Sequence, residues 1–248
     1  MYESVSSLPH YVENVPSNGK RPVFQNWAPV LLRTPNTQSP LRTPSTPAPL
    51  RKTSTSSSLL SIPDLGISFP FNSGADPCLF RSSQPYYGGS HDSYQMYTEE
   101  TINILKTAKI KRILSLNYEK ANTPFLAKNK IEFHHLKVKD FCAPKVSEII
   151  NACKYLEKTP KGEAALVYCG FGQGRTGMMI TAFQIYYNYL ACSTLSDLNA
   201  LPNIVNEFIK NSTAEKDSQE KTLKELFDYL YKKGASKGKN CLKFWKLI

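Results

Sequence analysis

One cysteine stands ahead of a run of glycines and an arginine in VYCGFGQGRTGMM, residues 167–179. Five residues separate Cys169 from Arg175, so the chain between them can curl until thiol and guanidinium face the same anion. Gly170, Gly172 and Gly174 carry no Cβ atoms that would keep such a loop from wrapping around it. The apolar AALVY (164–168) reads as a strand running into the loop, and a helix is expected from about Thr176. That order puts free backbone N–H groups at the positive end of a helix, a ready cradle for phosphate. A thiol there, beside an arginine, is favoured as thiolate, and the fork of Arg175 matches two phosphate oxygens. The chemistry this predicts is a sulfur nucleophile aimed at phosphorus, with Gly170, Phe171, Gly172, Gln173, Gly174 and Arg175 holding the phosphate.

Two nucleotide readings compete for the loop. GQGRTG (172–177) fits the G-x-G-x-x-G fingerprint. That fingerprint needs an acidic residue about 20 positions on, at the end of another strand, whereas Asp197 lies in STLSDLNALP, a helical or loop stretch. A Walker loop needs lysine where Arg175 stands.

Several elements must position the loop. ILSLN (113–117) and EFHHLKV (132–138) are strand-like, and AALVY is too apolar for an exposed edge. Thr98 can cap a helix opening with Glu99 and Glu100, and Val146, Ile149, Ile150, Cys153 and Leu156 fall on one helical face. MMITAFQIYYNYL is hydrophobic nearly all round, as a central buried helix would be. Asp217 and Glu220 form a capping pattern ahead of Leu223, Leu226, Phe227, Leu230 and Tyr231. Strands separated by helices predict an α/β fold, a central, mostly parallel sheet flanked by helices.

Cys-x5-Arg-Thr-Gly after a buried strand resembles the cysteine-dependent protein tyrosine phosphatase superfamily, in its compact dual-specificity branch, over residues 76–232. FRSSQP (80–85) and ILSLN are similar to stretches that precede the catalytic parts of that family. The resemblance implies its fold and a two-step mechanism without metal or other cofactor. Expelling an alkoxide or phenoxide needs a proton donor, and KVKDFCAP (137–144) supplies Asp140, followed by Pro144 as in the family's acid loop. In the implied roles Cys169 attacks phosphorus, Asp140 acts as acid and then as base, Arg175 binds the phosphoryl group, and Thr176 hydrogen-bonds the departing sulfur. Gln173 stands where it could orient the attacking water. Tyr168 departs from the pattern, since histidine is expected just before the nucleophile. Either its hydroxyl tunes the thiol or its ring packs in the core.

The expected partner is a phosphorylated protein carrying phosphotyrosine, with phosphoserine or phosphothreonine as further substrates. RNA 5′-triphosphate ends and phosphoinositides come second, admitted by a formal charge of +11. The loop argues against polyphosphorylated inositol, because no Lys or Arg lies between Cys169 and Arg175. A phosphate-binding pseudophosphatase is disfavoured by the presence of Cys169, Arg175, Thr176 and Asp140 together. His134 and His135 have no further His or Cys at ligand spacing and are read as strand residues, one ring buried and one exposed.

The length of 248 residues suits one domain with appendages. Composition changes near residue 62, which predicts a disordered Ser/Thr/Pro-rich tail over 1–61, a catalytic domain over 62–235 and a basic tail over 236–248. The first tail carries LRTP at 32–35 and again at 41–44, and Thr34, Ser39, Thr43 and Thr46 each precede proline. It is a flexible basic segment, or a docking segment open to phosphorylation. No transmembrane segment or secretory signal is read, and six scattered cysteines point to a reducing, cytoplasmic setting. Cys142, beside the acid loop, is either a plain loop cysteine or a trap for oxidised Cys169.

Overall fold

The computed structural model describes residues 23–30, 59–62, 67–70, 78–89, 92, 95–192 and 194–238. The LRTP repeats and residues 239–248 lie outside them.

The architecture is α/β, as the alternation of apolar runs and helical faces predicts. Five strands form one sheet: β1 (Ala28–Val30), β4 (Cys78–Ser83), β7 (Ala164–Cys169), β5 (Ile110–Ser115) and β6 (Glu132–His135), in that spatial order. All neighbours run parallel except β1, which pairs antiparallel with β4. A separate hairpin pairs β2 (Leu59–Ile62) with β3 (Ile67–Pro70), straddling the compositional boundary at residue 62. AALVYC takes the middle of the sheet because every one of its residues is buried.

The helices are α1 (Glu99–Thr107), α2 (Pro124–Lys128), α3 (Val146–Glu157), α4 (Gly174–Ala191), α5 (Leu195–Lys210) and α6 (Asp217–Gly238). Thr98 caps α1 as expected, its hydroxyl accepting from Thr101 N. Asp197 lies within α5, where no dinucleotide strand exists. On one side of the sheet, Ala165, Val167 and Cys169 meet α4 and the helices around it, with Ile149, Cys153, Leu223, Leu226 and Leu230 in the same core. On the other, Ala164, Leu166 and Tyr168 meet Ile102, Leu105 and Leu126. This alternation along β7 decides which chemistry each neighbour of the cysteine can reach.

Residues 23–30 correct the expectation that everything before residue 62 lies outside the domain. Val23, Phe24 and Trp27 are buried in the second core, where Trp27 packs on Phe24 and Phe80 at ring-centroid distances of 5.0 and 5.4 Å. Gln25 N donates to Ser83 Oγ (2.8 Å), Ser83 N donates to Gln25 O (2.7 Å), and β1 then adds a strand to the sheet. Composition averages over a window and misses three apolar anchors in VFQNWAPV, which are enough to add a strand when an exposed sheet edge waits for one. His134 and His135 also differ from expectation, both being half-buried. His134 stacks on Tyr155, and burial followed by the neighbouring His135 lowers its pKa.

Candidate active site

Parallel strands leave their carboxyl ends on one edge, where α/β folds build sites. β4, β5 and β7 end there together, and the chain from Cys169 to Gln173 loops over the edge before α4 begins at Gly174. Gln84 N, just past β4, donates to Cys169 O (2.8 Å) and Gly170 O (3.0 Å), tying the start of the loop to the sheet. Gly172 has φ +87°, and a Cβ there would collide with the backbone of Ser82 and Ser83. Glycine is therefore required for both conformation and space. Cys169 is 3% exposed, and its Sγ accepts from Gly172 N at 3.3 Å. A sulfur so placed receives an amide dipole from its own loop.

Arg175 leaves the first turn of α4 and is 4% exposed. Its Nη1 donates to Asp92 Oδ2 (2.5 Å), Val138 O (3.1 Å) and Leu116 O (3.3 Å), and its Nη2 lies 3.1 Å from Asp140 Oδ1. Burial alone would lower its pKa, but the charges of Cys169, Asp92 and Asp140 outweigh it and raise the pKa above the ordinary value. Thr176 is fully buried, and its Oγ1 has no partner among the described residues. An unpaired buried hydroxyl costs stability and is open to a partner arriving with chemistry.

Asp140 follows β6 on an exposed loop, its side chain 60% exposed. Phe141 N donates to Asp140 Oδ1 (3.2 Å), Phe141 itself takes φ +60°, and Gln219 Nε2 from α6 donates to Cys142 O (3.3 Å). The loop thus carries the carboxyl to the same guanidinium that faces the cysteine. Cys142 is an exposed free thiol and Cys169 a buried one. Of the remaining loop residues, Phe171 is exposed and Gln173 half-buried. Gln173 Oε1 accepts from Arg81 Nη2 (3.2 Å), a use the sequence does not announce.

Three contributors escape the sequence reading. Arg81, in FRSSQP, donates from Nη2 to Gly172 O (2.6 Å) and Thr213 Oγ1 (3.1 Å) as well as to Gln173. Its pKa is lowered by burial, with the charge of Cys169 opposing. Asp92 is the shortest partner of Arg175, and a Cβ at Gly170 would meet Asp92 Cβ at 2.9 Å and the Tyr87 ring at 3.2 Å. Asn26 Nδ2 donates to Phe171 O (2.7 Å), so the N-terminal segment touches the loop directly. No periodicity around Arg81, which follows Phe80 and precedes Ser82 in CLFRSS, announces any of these contacts. Tyr168 faces away from the sulfur side of β7, fully buried, and its hydroxyl donates to Gln95 Oε1 (2.7 Å). The core-packing alternative holds for its ring.

Residues 88–188 match the model of Tc-R-P, described as a DSP-PTPase phosphatase of polymorphic toxin systems. Residues 88–188 resemble a phosphatase domain of the dual-specificity type, in line with the cysteine-dependent motif. The domain is therefore a phosphatase of that fold, with the Cys-x5-Arg loop at the carboxyl edge of the sheet. Among solved structures the chain is similar to Tk-PTP in its active form (20% identity, covering 63% of this chain and 95% of that one, TM-score 0.44). It is also similar to PTPMT1 in complex with PI(5)P (15%, 63% and 94%, TM-score 0.46). Human DUSP28 is a further likeness (18%, 61% and 89%, TM-score 0.40). Among the described residues no helix of this phosphatase is long and apolar enough to cross a membrane.

Proposed function

We propose that the chain hydrolyses phosphotyrosine in proteins, with phosphoserine and phosphothreonine as further substrates, through a cysteinyl-phosphate intermediate on Cys169 and with no need of metal. The observation that carries this reading is the convergence on Arg175. Its fork lies beside a buried thiol at one end and Asp140 Oδ1, 3.1 Å from Nη2, at the other.

In the first step the Cys169 thiolate forms a bond to phosphorus while the ester P–O bond breaks and Asp140 gives its proton to the leaving oxygen. In the second, Asp140 takes a proton from water, the water oxygen bonds to phosphorus, and the P–S bond breaks to restore the thiolate. Loop amides and Arg175 meet the charge that develops on the equatorial oxygens. Thr176 Oγ1, free of other partners among the described residues, is available to the sulfur as it leaves.

The rim supports an aryl ester. Tyr118, Phe141 and Phe171 are among the most exposed large apolar side chains of the described residues, and each adjoins the site. Tyr118 N donates to Asp92 Oδ2, Phe141 follows Asp140, and Phe171 lies in the loop with Tyr87 at 6.0 Å. Lys137 covers the Tyr118 ring at 4.1 Å and Lys216 the Phe141 ring at 4.9 Å, giving the rim a cationic edge suited to acidic flanking residues. Arg175 already shares its charge with Asp92 and Asp140, which suits one phosphate dianion better than a polyphosphate.

We assign the catalytic unit to residues 62–235 together with 23–30, with the rest of the N-terminal tail as an appendage that binds a partner or takes phosphate and residues 236–248 as a basic tail, in a cytoplasmic setting. A panel of phosphotyrosyl and phosphothreonyl peptides, phosphoinositides and RNA 5′-triphosphate ends, assayed in chelator with Cys169→Ser as the blank, tests the reading. The highest kcat/KM is expected on phosphotyrosine. Preference for a lipid or an RNA end would overturn it.

A further inference from the structure

The residue before the cysteine has a partner whose connections lead back to the site by another route. The Tyr168 hydroxyl accepts from Tyr97 Oη (2.8 Å) and donates to Gln95 Oε1 (2.7 Å), which also accepts from Ser115 Oγ (3.3 Å). The amide end of Gln95 donates to Glu119 O (2.8 Å) and Asp92 O (3.4 Å). Gln95 is buried, and all its hydrogen-bonding capacity is spent. Asp92 O also accepts from Asn117 Nδ2 (2.7 Å), whose amide donates in addition to Gln84 Oε1 (2.6 Å). The Asp92 carboxylate, held by Tyr118 N, then closes on Arg175 Nη1.

We infer that Tyr168 and Gln95 are positioning residues for Arg175: the hydrogen-bond chain Tyr168–Gln95–Asp92 holds the guanidinium aligned with the phosphate loop before any phosphate arrives. The inference rests on reading Cys169 and Arg175 as the phosphate site. Two observations and one principle carry it. The Tyr168 side chain lies on the face of β7 opposite the sulfur, so direct action on the thiol is excluded by alternation. Every group from Tyr168 Oη to Arg175 Nη1 is joined by hydrogen bonds, two of them through one side-chain amide. Buried polar groups fix one geometry when satisfied, as Tyr168 and Gln95 are here, while Asn117 Oδ1 on the side branch has no partner among the described residues.

An arginine aligned in only a fraction of molecules weakens the apparent affinity for every phosphate ligand by that fraction, while turnover of bound substrate is unaltered. Tyr168→Phe keeps the ring in its core and removes one donor from Gln95. It should raise KM for a small aryl phosphate and Ki for inorganic phosphate together, by about three- to tenfold, the range spanned by one hydrogen bond. kcat should stay within about twofold, and the acidic limb of the kcat/KM profile should not move.

Asp92→Ala should raise the same two constants, and adding Tyr168→Phe to Asp92→Ala should change them no further, because the route to Arg175 is already cut. If wild-type protein binds no phosphate, the site reading itself is wrong. If it does and Tyr168→Phe binds equally well, the positioning inference is overturned. A shift of the acidic limb with unchanged Ki overturns it in favour of direct action on the thiol. Additive effects in the double variant overturn it too, as does a lower melting temperature with wild-type Ki, which would make Tyr168 a packing residue alone.

Discussion

Replacing Trp27 by alanine tests whether the segment before the Ser/Thr/Pro-rich stretch belongs to the catalytic domain. Trp27 has no exposed surface and packs between Phe24 and Phe80 under the sheet, so a large cavity must open in the variant. Buried Trp→Ala changes cost about 3–5 kcal/mol. Trp27 Nε1 has no hydrogen-bond partner among the described residues, and removing an unpaired buried donor returns part of that loss. The lower end, ~3 kcal/mol, is therefore expected, equivalent to roughly 6–12 °C in melting temperature for a domain of this size. Thermal unfolding followed by circular dichroism measures it. Trp27→Phe keeps most of the packing and discards the orphan N–H, so it should melt within about 3 °C of wild type. The two adjacent links, Asn26 Nδ2 to Phe171 O and Gln25 to Ser83, predict that Trp27→Ala also raises KM for an aryl phosphate. A melting temperature within about 2 °C of wild type for Trp27→Ala would refute the docking of this segment in the core.

Asp140→Ala should lower kcat by about 10²- to 10⁴-fold on a substrate with a poor leaving group and leave KM nearly unchanged; wild-type turnover would place the acid elsewhere. Gly172→Ala forces a Cβ into the backbone of Ser82 and Ser83 at φ +87°, so the loop must shift. Its kcat/KM and its affinity for inorganic phosphate should both fall by more than about tenfold, and near-wild-type values for both would show that the loop is not pressed against β4.

The sequence alone determines what is local in the chain. Cys169, its glycines and Arg175 lie within seven consecutive residues, and their order between a buried strand and a helix predicts an anion-binding loop from the local chain alone. Asp140 is legible only as an expectation, from the resemblance of KVKDFCAP to the family's acid loop and from its place just after the strand-like EFHHLKV. The buried character of α4 and β7 follows from apolar runs too continuous for an exposed element.

What only the tertiary structure decided are the pairings across long stretches of chain. Asn26 reaches Phe171 over 145 positions, Asp92 reaches Arg175 over 83, and Arg81 reaches Gly172 over 91. No periodicity or spacing signals such partners, because a hydrogen bond depends on where the sheet brings two strand ends and not on either local sequence. Tyr168 shows the same division. Its neighbour in sequence is Cys169, yet the two-residue repeat of a strand turns it to the opposite core, where its hydroxyl meets Gln95. Adjacency in the chain therefore fixed its identity as the residue before the cysteine, and the pleat of β7 fixed what it touches.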